Sequence, residues 1–308
     1  MRVTTHNAFQ TSVANLHKRQ QAMVESQAQL TSGKRVLRPS DDPAAAAAAE
    51  RALAAASRAE VQQRALDASR NAMTLTEGAL GDAGELLAQI RERMIAAGNA
   101  SYSDSDRATL AQAMRGLRDD LLAVANRNDG AGRYLFGGQG SDRPPLVDAP
   151  GGVVYAGTSG EMQAASGESS PLAIDGRAVW LQAPDPRSPG QTLSLFDTLD
   201  RLVGELMTPG RSGPDIAATV RDGLAEIDAG AANLSAWRAR AGEALNRIEG
   251  IKERLAQTRL DAQRERSQAE DLDMVAAIAD FQQRQSGYDA ALKTYSMVQR
   301  LSLFDYLR

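Results

Sequence analysis

The sequence predicts a mainly α protein: a long antiparallel helical coiled-coil bundle built from both chain ends, with a small β-rich insertion domain. Three observations carry that expectation. Apolar residues recur at heptad spacing near both termini, aromatics make up only 4% of the 308 residues, and glycine, proline and serine crowd one central stretch. Alanine, glutamine and arginine recur through the rest, which favours long helices packed through small and aliphatic side chains.

The elements follow in chain order. Phe9, Val13, Leu16, Met23 and Leu30 stand at spacings of four, three, seven and seven. With Gln20 and Gln27 between them, they form a coiled-coil seam. The stretch "LTSGKRVLRPSDDPAAAAAAE" then interrupts the helix. Gly33 suits a helix end, Pro39 disfavours helical geometry at Arg38, and Asp42 followed by Pro43 supplies an N-cap and a first-turn proline. With Lys34 and Arg35 these residues make a hinge, and the six alanines behind it restart a helix that a neighbour can approach closely.

Residues 44–97 read as mainly helical, with Gly78, Gly81 and Gly84 marking bends that each cost about 1 kcal/mol relative to alanine. "SDSDRATLAQAMRGLRDDLLAVANRN" opens another helix with serine and aspartate caps, and Asn128 and Gly130 suit its end. From 137 to 190 the chemistry changes. "GGVVYAG" reads as a short strand, the Asp175-Gly176 pair as a hairpin turn, and "GGQGSD" as a flexible crossing. This insertion is expected to be dispensable for folding.

Helices resume with "SLFDTLDRLVGELM" and with a segment opening at Pro214. Leu234, Trp237, Ala241, Ala244, Ile248, Ile251, Leu255 and Thr258 predict one long helix from about Leu234 past Arg266. Ile278, Phe281, Gln285, Tyr288, Leu292 and Tyr295 repeat the four-three spacing, and an apolar tail of Leu301, Leu303, Phe304 and Leu307 follows. Each layer should pair segments from the two halves. The expected domains are a terminal coiled-coil layer (1–42 with 270–308), a helical middle domain (43–137 with 190–269) and a β-rich outer insertion (138–189).

The inventory for chemistry is poor. The 35 basic and 39 acidic residues are interspersed, so no basic field suits nucleic acid. There is no cysteine, and no run approaches the roughly 18 apolar residues of a membrane span. The start lacks the apolar core of a secretory signal, which points to a cytosolic chain or one exported without cleavage. His6 and His17 would lie about 16 Å apart on a helix, too far to share a metal. "EDLD" (270–273) complements a helix dipole without an ion. No catalytic, metal or cofactor-binding residue is expected, and the chain does not read as an enzyme.

"LTSGKRVLRPSDDPAAAA", "NRNDGAGRYLFGG", "RARAGEALNRIE" and "AEDLDMVAAIADFQQRQSGYDAALKTYSMVQRLSLFDYL" resemble, in that order, the signatures of the flagellin superfamily. "MRVTTHNAF", the prolines of "RPSDDPAA" and "YLFGG" are most similar to its hook-filament junction members. The resemblance implies a structural adaptor in the bacterial flagellum, extracellular and exported unfolded through the flagellar type III apparatus. It implies partners too: other copies in a ring, the first hook-associated protein on the hook side, flagellin on the filament side, and a flagellar export chaperone, with neither nucleic acid nor membrane. The seam and tail residues would then be assembly contacts. Bulk flagellin and a cytosolic coiled-coil scaffold stay open as alternatives.

Overall fold

The computed structural model describes residues 2–140, 143–165 and 167–306. Its helices are α1 (Arg2–Ser32), α2 (Pro43–Ala97), α3 (Asp104–Ala125), α4 (Gly176–Trp180), α5 (Leu195–Met207), α6 (Gly213–Glu270) and α7 (Met274–Tyr306). Its strands are β1 (Leu146–Ala149), β2 (Gly152–Tyr155), β3 (Met162–Gln163), β4 (Pro171–Ala173), β5 (Ala183–Pro184) and β6 (Thr192–Leu193). The chain divides into two compact units, one made of both chain ends up to Ala59 and from Gln257, the other of Glu60–Ala256.

In the terminal unit α1 and α7 run antiparallel. Phe9 lies against Tyr295, Arg284 reaches the Ala22 carbonyl, and Lys34 bridges to Asp271. The alanine run contributes small buried positions at Ala49, Ala52 and Ala59.

The central unit is organised by two heptad rows on α2. Leu66, Met73, Leu80, Leu87 and Met94 form one, Ser69, Thr76, Ala83, Ile90 and Ala97 the other, and all are buried. Two adjacent rows at this spacing make a helix face wide enough for a core. α6 answers with Ile227, Leu234, Ala241, Ala244, Ile248 and Ile251, also buried. Asp67–Lys252 (2.8 Å), Glu77–Arg238 (2.7 Å) and Arg91–Asp228 (2.7 Å) pair the two helices antiparallel. The three glycines do not break α2: a tertiary partner along its length outweighs their propensity cost. Likewise the segment opening at Pro214 and the helix at Leu234 are one element of 58 residues. Ser212 accepts from the Asp215 amide at its start, so the whole length is capped once.

α3 opens on a capping box in which Ser103 and Asp106 each accept from the other's backbone N–H. It stops at Ala125, before Asn128 and Gly130, because the Asn126 side chain clasps both backbone groups of Leu146 (2.7 and 2.9 Å).

Within the insertion β1–β2, β3–β4 and β5–β6 form separate antiparallel pairs. Asp175-Gly176 is no hairpin turn. Asp175 instead caps the short helix α4 by accepting from the Arg177 amide at 2.9 Å. The glycine-rich crossing is pinned as well: Gly138 donates to the Ile174 carbonyl and Gln139 to that of Thr158.

The insertion also fills the core, which corrects the expectation that it is dispensable. Trp180 is fully buried, edge-on to Phe136 (centroids 5.1 Å) and tilted against Phe196 on α5 (6.1 Å). Leu146, Val153, Ile174 and Val179 join the same cluster as the α2 rows. Two ionic hubs fasten this arrangement. Buried Arg118 on α3 donates to Asp148 on β1 (2.7 and 2.9 Å) and to Asp200 on α5 (2.8 Å), with Phe196 beneath it at 5.6 Å. Buried Glu226 on α6 pairs with Arg187 and with Arg201 on α5. Among the described residues no helix is long and apolar enough to cross a membrane, and no cluster of ligating side chains could hold a metal.

Candidate functional site

The residues singled out in the two seams and the hinge gather in the terminal unit. There the C-terminal seam separates into two rows. Phe281, Tyr288 and Tyr295 are half-buried, whereas Ile278, Gln285 and Leu292 are exposed. In a two-stranded coiled coil one partner helix covers both rows of a seam, so here only one row lies on the side that α1 covers. On α1, Val13, Leu16, Met23 and Leu30 are half-buried, and Phe9 remains 46% exposed although its ring lies 5.9 Å from that of Tyr295. Leu301, Leu303 and Phe304 fall on the end of α7; Leu307 lies outside the described residues.

In the middle of α1 small and polar side chains sit among the larger ones. Ser26 is buried, Ala22 presents its carbonyl to Arg284 (3.2 Å), and Arg284 is steadied by Asp280 (2.6 Å). Small residues and glutamines let the backbones approach but bury little apolar area. The pair therefore leaves Ile278, Leu292, Val275 and Val24 in solvent.

The hinge is a double break. Gly33 takes the left-handed conformation (φ +71°) that ends α1, its amide donating to the Gln29 carbonyl at 2.9 Å. The chain then meets the gap between α6 and α7. Arg35 donates its amide to the Glu270 carbonyl (2.7 Å), and Leu272 donates to that of Gly33 (3.0 Å). Side chains reinforce this short ladder: Lys34 pairs with Glu270 (3.1 Å), and Arg35 reaches both Asp42 (3.1 Å) and the Ala269 carbonyl (2.8 Å).

Beyond it a turn spans Arg38 to Asp41, with Pro39 inside it, closed by the Asp41 amide on the Arg38 carbonyl. The Asp41 carboxylate accepts from the amides of Leu37 and Arg38. Asp42 then caps α2, whose first residue is Pro43, by accepting from the Ala45 amide at 3.0 Å. Its carboxyl is held below the usual carboxylate range, by that amide first and the Arg35 guanidinium second. Asp273 caps α7 in the same way, accepting from Val275 and Ala276.

The acidic stretch 270–273 does open α7 through the Asp273 cap, as its sequence suggested, whereas Arg266 and Asp41 were not singled out from sequence. Asp41 carried a signal, since aspartate after proline and serine favours a side-chain-closed turn. The partnership of residues 33–42 with 266–273 carried none, because nothing local marks which distant segment completes a break.

The chain resembles known flagellar proteins. Residues 3–141 match the family model described as the bacterial flagellin N-terminal helical region. Flagellar hook-associated protein 3 of Escherichia coli K12 is 28% identical over 99% of both chains, and that of Salmonella typhimurium 27% identical over 100% of both. Flagellin of Bacillus subtilis is 22% identical over 91% of this chain. The crystal structure of flagellar hook associated protein-3 from Legionella pneumophila superposes with a TM-score of 0.64 at 21% identity, covering 70% of this chain and 96% of that one. FlgL of Xanthomonas campestris gives 0.60 at 20% identity, covering 71% and 99%. These two structures share the fold.

Proposed function

We propose that this chain, similar from end to end to flagellar hook-associated protein 3, is a structural protein of the bacterial flagellum that acts as the adaptor between hook and filament. The observation that carries the reading is the end-to-end match to hook-associated protein 3, at higher identity than the match to Bacillus flagellin. The exposed seam on α7 supports it, because a helix pair that leaves half its heptad residues in water gains stability only when further helices cover them.

In this reading copies of the chain form a ring, with the first hook-associated protein on one side and flagellin on the other. An export chaperone would cover the terminal helices before secretion through the type III apparatus without a cleaved signal. The seam residues and the tail of Leu301, Leu303, Phe304 and Leu307 are the assembly contacts. The two-sided joint sets the angle at which α1 meets α2. No enzymatic step is assigned.

Truncation after Arg300 tests the proposal in cells that depend on this chain. Four large apolar side chains, each worth roughly 1.5–3 kcal/mol when buried, are then lost to an assembly. Cells should release flagellin into the medium and lack filaments, while the truncated chain is still secreted. Normal filaments on such cells would overturn the assembly role of the tail.

A further inference from the structure

The uncovered row on α7 has a counterpart within the same unit. A cleft of about 450 Å³ lies between α1 and the hinge turn, with Val24 and Leu37 as its apolar walls and Gln21, Glu25, Arg38 and Asp41 around them. Val24 is 56% exposed and Leu37 38%. The cleft is lined by α1 and the hinge while the exposed row lies on α7, and neither is filled by the chain itself.

We infer that the cleft of one copy receives the stretch Asp289–Lys293 of α7 from a second copy, with Leu292 seated between Val24 and Leu37. This rests on the proposed ring of identical subunits and assigns its contact. Charge selects the occupant. Glu25 and Arg38 have no ion-pair partner among the described residues, nor do Asp289 and Lys293, and each set holds one acid and one base, so the two can pair crosswise. The order of residue types matches as well: Val24-Glu25 and Leu37-Arg38 meet Leu292-Lys293, with Asp289 one helical turn before Leu292. Lys293 faces Glu25 and Asp289 faces Arg38. Because donor and acceptor surfaces differ, the contact is heterologous and repeats from copy to copy, closing into a ring when the rotation allows.

The test exploits the absence of native cysteine. Full-length Val24→Cys and Leu292→Cys variants are co-expressed in cells lacking the wild-type chain, isolated flagella are mildly oxidised, and disulfide-linked dimers are scored. Mixed dimers, absent when either variant is expressed alone, are the expected result. In parallel, Arg38→Glu should lower incorporation into flagella by about tenfold, and adding Asp289→Arg in the same chain should restore it. Incorporation with no cross-link, or with Leu292 linked only to Leu292 of another copy, overturns the heterologous contact and leaves the adaptor role standing. Absence of every variant and of the wild-type chain from flagella overturns the adaptor role itself.

Discussion

Replacing Trp180 by alanine tests whether the β-rich insertion and the helices share one core. The indole is fully buried between Phe136, just ahead of the glycine-rich crossing, and Phe196 from α5. Truncating a buried tryptophan to alanine removes its transfer free energy and leaves a cavity, together costing about 3–5 kcal/mol. That is a large share of the roughly 5–15 kcal/mol a domain possesses. With a urea dependence of about 2–3 kcal/mol per molar, the unfolding midpoint should fall by about 1–2.5 M. The assay is equilibrium unfolding followed by helical circular dichroism and by fluorescence. Since the chain has two tryptophans, the signal left in the variant comes from Trp237 on α6, outside the insertion. Trp180→Phe keeps an aromatic ring in place and removes a buried indole N–H that has no hydrogen-bond partner among the described residues, so it should cost well under half as much. If Trp180→Ala left the Trp237 transition unmoved, the insertion would fold as a separate body and the shared core would be wrong.

Two further substitutions probe the same unit. Gly138 sits at φ +66°, and a Cβ there would lie 1.8 Å from the Thr158 carbonyl oxygen, so Gly138→Ala should lower the melting temperature of the central unit by more than about 5 °C. Gly33→Ala, equally left-handed but with open space around it, should leave that transition in place, and equal effects would contradict the geometry. At the ionic hub the Asp148 carboxyl is held below its ordinary value of 3.8, chiefly by hydrogen bonds from Arg118. A depressed carboxylate contributes in full above its free value, and the contribution is lost as pH falls through the lower folded value. Arg118→Met should therefore destabilise the central unit by about 2–3 kcal/mol at neutral pH, below the 3–5 typical of a severed buried pair because Asp148 and Asp200 regain water. It should also flatten the loss of stability below about pH 4, and an unchanged acid slope would count against the hub.

What was legible from sequence depended on whether the signal was local. Heptad spacing from Leu234 to Leu255 located α6, and Gly33, Asp42 and Pro43 located the break after α1, because periodicity, capping and proline geometry act within a few residues. The same locality misled at Asp175-Gly176. A cap and a turn use the same residue types, and only the buried Val179 and Trp180 that follow decide for a helix. The extent of α6 was underestimated and α2 was expected to bend, because propensity prices each glycine or proline singly while a continuous partner helix stabilises the whole length.

By itself the sequence determined that this is a mainly helical chain with heptad seams at both ends, a proline-bounded joint and little equipment for catalysis. Tertiary structure decided the rest. It placed residues 266–273 opposite the joint, divided the α7 seam into a covered and an uncovered row, and drew the insertion into the core through Trp180 and Arg118. The physical reason is that burial and ion pairing join residues tens to hundreds of positions apart: Arg118 finds Asp148 and Asp200, and Arg35 finds Ala269, at distances along the chain that no periodic pattern records.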